Sequence, residues 1–344
     1  MIKKLTVITG VLLLVCALIA PGCNPEVELV APADFYKGRS IELVSMTSPG
    51  NLNDLILRIM ASYISEDTGA SVSVTTRKGA GGIEGANYIY KAKPDGLTLG
   101  MTSMVKYVGN KILGEPAAEY ELEEISYIMC THPRQTYFFV SPDGPYQTVA
   151  ELQAATDLKL AATSASGYCS LAGLTVIELL GLDAQVVTGF KGTSDIALAI
   201  QRGEVTGYAV STQQALIDAG IIKPLFVIAT ERDPLKPDVP AITELVDLSD
   251  EDLELVNLWE TVLNNAGLFI TSPGVPEDRL AYLRDLVDQW YQDEGFRAQV
   301  DAVAGEELTM YLTGEEVTMR ILNTASIIGQ FQTIFTELAA KYRH

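Results

Sequence analysis

One unit recurs along this chain and limits what it can fold into: a short strand, a loop of small residues, then the start of a helix. The clearest copy surrounds residues 77–87, RKGAGGIEGAN. Residues 71–76 (SVSVTT) alternate and are rich in β-branched side chains, which predicts a strand. Over residues 83–93 apolar side chains return at helical spacing, predicting a helix that stops before Pro94. Between them Gly79, Gly81 and Gly82 carry no bulk, so a ligand can approach the backbone closely. The unpaired N–H groups at the start of the following helix favour negative charge.

Three further copies follow the same plan. Residues 40–46 read as a strand, 47–53 (TSPGNLN) as a loop, and 54–66 as a helix with Asn53 or Asp54 as its N-cap. Residues 158–163 predict a strand, 164–170 (SASGYCS) a small-residue loop, and 171–180 an apolar helix. Residues 184–188, 189–194 (GFKGTS) and 195–202 repeat it once more. Other strands are expected at 97–102, 205–210, 225–230 and 267–271, a helix after Pro276, and one last helix over about 314–341. Alternating strand and helix implies α/β architecture with parallel, doubly wound sheets. Residues 120–141 resemble a connector; the apolar run Tyr137–Val140 fits either a strand crossing between two lobes or an ordinary core strand.

In an open α/β sheet, ligands bind beyond the carboxyl ends of the strands. Two facing lobes would bring the four loops to one cleft. The residues expected there are Ser48, Gly50, Asn51 and Leu52; Ala80, Gly81 and Gly82; Thr102 and Ser103; Ser164, Ser166, Gly167 and Ser170; Phe190, Lys191, Gly192 and Thr193; and Tyr208 and Thr212 on the cleft wall. Backbone amides and small hydroxyls suit one or two carboxylates, which accept several hydrogen bonds each. For Lys191 a solvated role competes with ligand contact, and for Tyr208 and Thr212 core and capping roles do.

The formal net charge of -20 argues against nucleic acid, whose binding rests on Lys and Arg. Long-range steering of anions is also excluded, so an anion site must rest on local dipoles. With only His132 and His344, His-rich metal sites are excluded, and no cofactor is expected. Gly79, Gly81 and Gly85 approach a dinucleotide fingerprint, but Glu84 and Asp95 fall in a helix and a turn rather than at a second strand's end. Cys130 and His132 could share a strand face as a thiolate pair, yet a buried cysteine beside a surface histidine fits as well, and no G-x-S-x-G elbow is present. The chain is not expected to be an enzyme.

Residues 1–22 read as a signal peptide, with a basic start at Lys3 and Lys4 and an apolar run over 5–20. Cys23 follows a small residue and resembles a lipoprotein anchor, with ordinary signal cleavage as the alternative; residues 24–35 would be a tether. Export permits a disulfide between Cys130 and Cys169, and two buried thiols are equally compatible. The lobes are expected at 36–137 with 236–344, and at 138–235, with 236–264 compatible with either.

RKGAGG at 77–82 followed by KPDGLTL at 93–99 resembles the TctC/Bug family, the extracytoplasmic solute-binding receptors of tripartite tricarboxylate transporters. SPGNLND (48–54), SASGYCS (164–170), FKG (190–192), GEV (203–205), DVPAITE (238–244) and SPGVPED (272–278) extend the likeness over 38–323. Three features depart from the family pattern. Asn51, Leu52 and Asn53 stand where paired glycines are usual, Phe190 where Tyr is common, and Leu97 gives DGLTL for DGYTL. The resemblance implies a two-lobed, type II periplasmic-binding-protein fold that closes on a small carboxylate: a di- or tricarboxylate, an aromatic acid or an amino acid. It further implies a monomer that delivers its ligand to large and small permease subunits. A sensor without a transport role is the alternative, and an exported enzyme acting on an acid is a weaker one.

Overall fold

The structure is a computed structural model; it describes residues 31–342 apart from 113, 132–133, 164–166, 261–263, 265, 305–309 and 326–327. The expectations placed on residues 1–22, Cys23, most of 24–35, Ser164, Ser166, His132 and His344 lie outside the described residues. Strands β1 (Ser40–Ser45), β2 (Ser71–Thr76), β3 (Thr98–Ser103) and β4 (Ser126–Thr131) come first. Next are β5 (Thr136–Val140), β6 (Leu158–Ala161), β7 (Ala184–Val187), β8 (Gly207–Ser211) and β9 (Lys223–Val227). The last two are β10 (Gly267–Thr271) and β11 (Tyr311–Thr313). They form one six-stranded sheet, ordered β11-β4-β10-β3-β1-β2, and one five-stranded sheet, ordered β7-β6-β8-β5-β9.

The repeated units give the parallel ladders that alternation predicts: β2-β1-β3 in the first sheet and β7-β6-β8 in the second. Neither sheet is wholly parallel. β10 runs antiparallel to β3 and β4, and β5 antiparallel to β8 and β9. These strands cross from the other sheet or turn back directly, so no crossover helix sets their direction.

Tyr137–Val140 is a core strand rather than a crossing. Every residue of β5 is buried and paired with β8, and residues 137–140 are paired with β9 as well. The chain passes from the first sheet to the second between β4 and β5, and returns ahead of β10. Thr131 Oγ1 accepts the Gly267 N–H at 2.7 Å, and Asn264 Nδ2 donates to Gln135 Oε1 at 2.9 Å, so the two passages are tied side by side.

Residues 236–260, assigned from sequence to the first lobe, pack with the second sheet. Ala241 bridges Val227, and the fully buried Trp259 donates its indole N–H to Thr175 at 2.9 Å. A helix at Asp250–Leu258 was hidden by its acidity; Ser249 and Asp252 form a reciprocal capping box at its start. Residues 32–36, given to the tether in part, form a helix because Tyr36 is fully buried and stacks on Tyr282 at 5.6 Å. The single helix expected over 314–341 is two, Gly314–Ala325 and Ile328–Tyr342. The second lies along the helix Tyr168–Leu180, where Glu178 accepts from Lys341 (3.0 Å) and Tyr342 (2.7 Å). Helix Tyr168–Leu180 is buried almost throughout because it is covered on its outer side as well as on the sheet side.

The segment after β9 is pinned by Arg232, which donates to both Glu244 oxygens at 2.8 and 3.1 Å through Nε, and to the Pro237 carbonyl at 2.8 Å. The Arg232 hydrogen bonds, aided by the Ala241 N–H, pull the Glu244 carboxyl down to about 2. A depressed folded-state value stabilises the fold above the ordinary pKa of 4.5 and loses that stabilisation as pH falls towards 2. Chemical denaturation should therefore show Glu244→Gln less stable than the parent at pH 6, with the gap closing between pH 4.5 and 2.

Candidate functional site

The loops at the carboxyl ends of β1 and β2 face the ligand side of the first sheet, and those after β6 and β7 do so in the second. The glycine loop holds three successive residues in the left-handed region: Ala80 (φ 49°), Gly81 (70°) and Gly82 (104°). An alanine there costs about 1–2 kcal/mol and persists only where its surroundings impose it. Close seating of the helix Ile83–Tyr90 does so. A Cβ on Gly85 would stand 2.6 Å from Met46 Cγ and 2.7 Å from the Arg77 carbonyl oxygen. The third glycine of the near-fingerprint thus serves helix-to-strand packing.

The first loop is held by Asp54. Its buried carboxylate accepts the Gly50 N–H at 3.0 Å and the Arg58 guanidinium at 2.9 Å. Burial pushes this carboxyl up, but the Arg58 and Gly50 hydrogen bonds outweigh it and leave the group below its ordinary value. The N-cap of the helix Leu52–Thr68 is Asn51, accepting the Asn53 N–H at 3.2 Å; Asn53 and Asp54 lie buried inside the first turn. Asn51, two residues upstream of the expected caps, therefore has its side-chain oxygen engaged by the helix.

A hollow of about 410 Å³ opens between the two halves. Ala80, Gly81 and Ile83 line one side, and Gly167, Tyr168 and Leu171 line it from the second half. The helix Met104–Ile112 supplies Val105, Lys106, Gly109 and Asn110, with Glu115 and Ala117 beyond it. Two larger hollows are each built from one half alone. One of 510 Å³ lies around Arg77, Lys91 and Lys93, and one of 540 Å³ around Asp143, Asp157 and Arg202. Size does not choose between them; of these three, the 410 Å³ hollow joins the carboxyl-end loops of both sheets among the described residues.

Of the described residues expected at the site, Ala80, Gly81 and Gly167 line this hollow, and Gly82 follows directly on it. Ser48, Gly50, Asn51 and Leu52 do not line it, nor do Phe190, Lys191, Gly192 and Thr193. Lys191 is exposed, with its backbone N–H on Asp195 at 3.2 Å. Thr102, Ser103, Ser170 and Thr212 are buried at their strand or helix ends. Tyr208 is fully buried against Phe139, and burial drives its phenol far up. Of the two roles open to Tyr208, cleft wall and core, it takes the core one; β8 is buried along its whole length, so neither face of it meets solvent.

One contributor lies outside the elements expected from sequence: the helix Met104–Ile112, whose apolar residues Met104, Val105, Tyr107, Val108 and Ile112 recur at helical spacing. The wall residue Tyr168 is set by its neighbours: its hydroxyl meets Thr136 Oγ1 at 2.5 Å and its ring lies edge-on to Trp259 at 5.5 Å.

Cys130 and Cys169 are free and buried, which closes the disulfide alternative. Burial pushes both thiols up to about 12, so neither is a thiolate at neutral pH. Cys130 faces Met104 Sδ at 3.8 Å. Among the described residues no His, Cys, Asp and Glu cluster could hold a metal, and no helix is long and apolar enough to cross a membrane.

Residues 56–253 match the profile of the family described as tripartite tricarboxylate transporter family receptor (TctC). A Cupriavidus necator protein, "UPF0065 protein in gbd 5'region", is 28% identical over 225 residues, 62% of this chain and 67% of that one. Protein BugT of Bordetella pertussis is 23% identical over 225 residues, 62% of this chain and 68% of its own. Among solved structures, a TctC solute-binding protein from Polaromonas superposes with a TM-score of 0.67 at 19% identity, covering 89% of this chain and 99% of that one. MatC from Rhodopseudomonas palustris with bound malate gives 0.62 at 19% identity, covering 88% and 99%. A second R. palustris protein with adipate gives 0.64 at 18%, covering 88% and 97%.

Proposed function

This chain belongs to the tripartite tricarboxylate transporter receptor family, and on that premise we propose that it captures a small carboxylate and delivers it to a membrane permease of large and small subunits. Family membership makes it a solute-binding receptor rather than an enzyme, and receptors of this family are extracytoplasmic. The observation that carries the ligand reading is the 410 Å³ hollow, with the strained Ala80–Gly81 turn on one side and Gly167, at the start of helix Tyr168–Leu180, on the other. Backbone amides at such turns hold a carboxylate without a buried cation. The malate and adipate seen in two relatives of the same fold support this class of ligand.

In this reading one lobe comprises residues 31–131 and 267–325, and the other 136–260. Closure of one lobe on the other traps the ligand, and binding free energy selects the closed state. Attachment through Cys23 to the outer face of the membrane and a monomeric state complete the proposal.

A thermal-shift panel tests it. A ligand at a hundred times its Kd stabilises the fold by about 2.7 kcal/mol, which raises the Tm by several degrees. Malate, adipate and related acids should include at least one such ligand, while the corresponding alcohols and amines leave the Tm unmoved. A Tm indifferent to every carboxylate counts against the reading.

A further inference from the structure

We infer that Lys106 selects a ligand with a second anionic group, so that dicarboxylates are preferred to monocarboxylates of the same length; this rests on the proposed carboxylate function. Among the described residues, twelve line the 410 Å³ hollow, and Lys106 is the one cation of the twelve. It lies on the helix Met104–Ile112, where Met104, Val105, Tyr107, Val108 and Gly109 are all buried. Lys106 alone in that stretch is exposed, on the side that opens into the hollow. It has no ion-pair partner among the described residues. Lys111, one turn further along the same helix, pairs with Glu121 at 3.0 Å, and Lys91 pairs with Glu119.

Exposed lysines such as Lys37 and Lys191 also have no ion pair among the described residues; what sets Lys106 apart is its place on the lining of the hollow. The position is also electrostatically poor for the helix. A cation in the first turn opposes the helix dipole, which favours anions there. A carboxylate from the ligand would relieve that opposition and supply the missing partner, with a charge-assisted hydrogen bond at Nζ. The turn amides at Ala80–Gly81 and those across at Gly167 would hold the first carboxylate, which needs no side-chain charge. Glu115 is the one anionic residue on the lining. It disfavours excess negative charge on its side of the hollow and so places the second anionic group towards Lys106.

The test is calorimetric titration of the parent protein and of Lys106→Gln and Lys106→Arg, using α,ω-dicarboxylates of four to eight carbons beside monocarboxylates of matched length. The parent should bind its best dicarboxylate more tightly than the matched monocarboxylate. Lys106→Gln should lose about tenfold or more for the dicarboxylate, as expected for a hydrogen bond between charged groups, and change little for the monocarboxylate. Lys106→Arg should recover most of the loss. Equal loss for both ligand classes, or none for either, overturns the assignment of Lys106. Parent protein that binds monocarboxylates as tightly as dicarboxylates overturns it too, while leaving the carboxylate function standing. Parent protein that binds no carboxylate at all overturns the function itself, and the assignment with it.

Discussion

Gly81→Val should weaken carboxylate binding by about a hundredfold, or roughly 2.8 kcal/mol at 1.4 kcal/mol per decade. Gly81 has φ 70°, and an added Cβ meets nothing within 4 Å, so the new side chain enters open space on the lining of the hollow. A β-branched residue is strained at that φ, which moves the turn, and its methyls occupy volume that the ligand needs. Gly38→Val is the matched control. Gly38 has φ 71°, an added Cβ there also meets nothing within 4 Å, and it lies in the turn before β1, outside the lining residues. Both variants should lose similar stability in a denaturant titration, and only Gly81→Val should lose binding. Equal affinities for the two would separate the glycine turn from the ligand.

Trp259→Ala carries the largest expected cost to stability, about 3–5 kcal/mol for removing a buried tryptophan. Trp259 is fully buried, bonds Thr175 and packs against Tyr168, so it fixes the returning segment onto helix Tyr168–Leu180. Trp259→Phe keeps most of the apolar volume and loses the indole N–H bond, so it should cost only about 1–2 kcal/mol. Urea unfolding distinguishes the two. A Trp259→Ala protein within 1 kcal/mol of the parent would mean that residues 250–259 are not locked to the second sheet. Tyr168 and Leu171 line the hollow, so the alanine variant should also weaken binding through the displaced wall.

Much of the fold was legible because each strand–loop–helix unit states its own structure locally. β-Branched alternation over 71–76, the short, mostly apolar run at 41–44, and glycines at the turns need no partner to be read. What was hidden depends on distant contacts. The direction of β10 follows from its arrival from the other sheet, and nothing in GLFIT encodes that. The placement of residues 236–260 rests partly on the Trp259–Thr175 hydrogen bond and the Trp259–Tyr168 ring contact, each made across more than 80 residues. The acidic surface of Asp250–Leu258 masked its helical face.

The site was half legible for a related reason. Small residues after a strand identify the turns, and two of those turns do meet across a hollow. Which turns meet is set by how the sheets stand to one another, which no single segment reports. Tyr208 shows the same limit at one residue: the sequence supplies a phenol near the right strand end, but β8 is covered on both faces by distant parts of the chain, which bury it. Lys106 was missed because a single lysine on an amphipathic helix looks like any solvated charge until the hollow beside it is seen.

A crystal structure of the protein grown with its best-binding carboxylate from the thermal panel tests the central claim most directly. The account predicts ligand density between Ala80–Gly81 and Gly167–Tyr168, with one carboxylate on the turn amides. Density instead in the groove of Arg77, Lys91 and Lys93, where three cations could bind an acid within the first half alone, would contradict it.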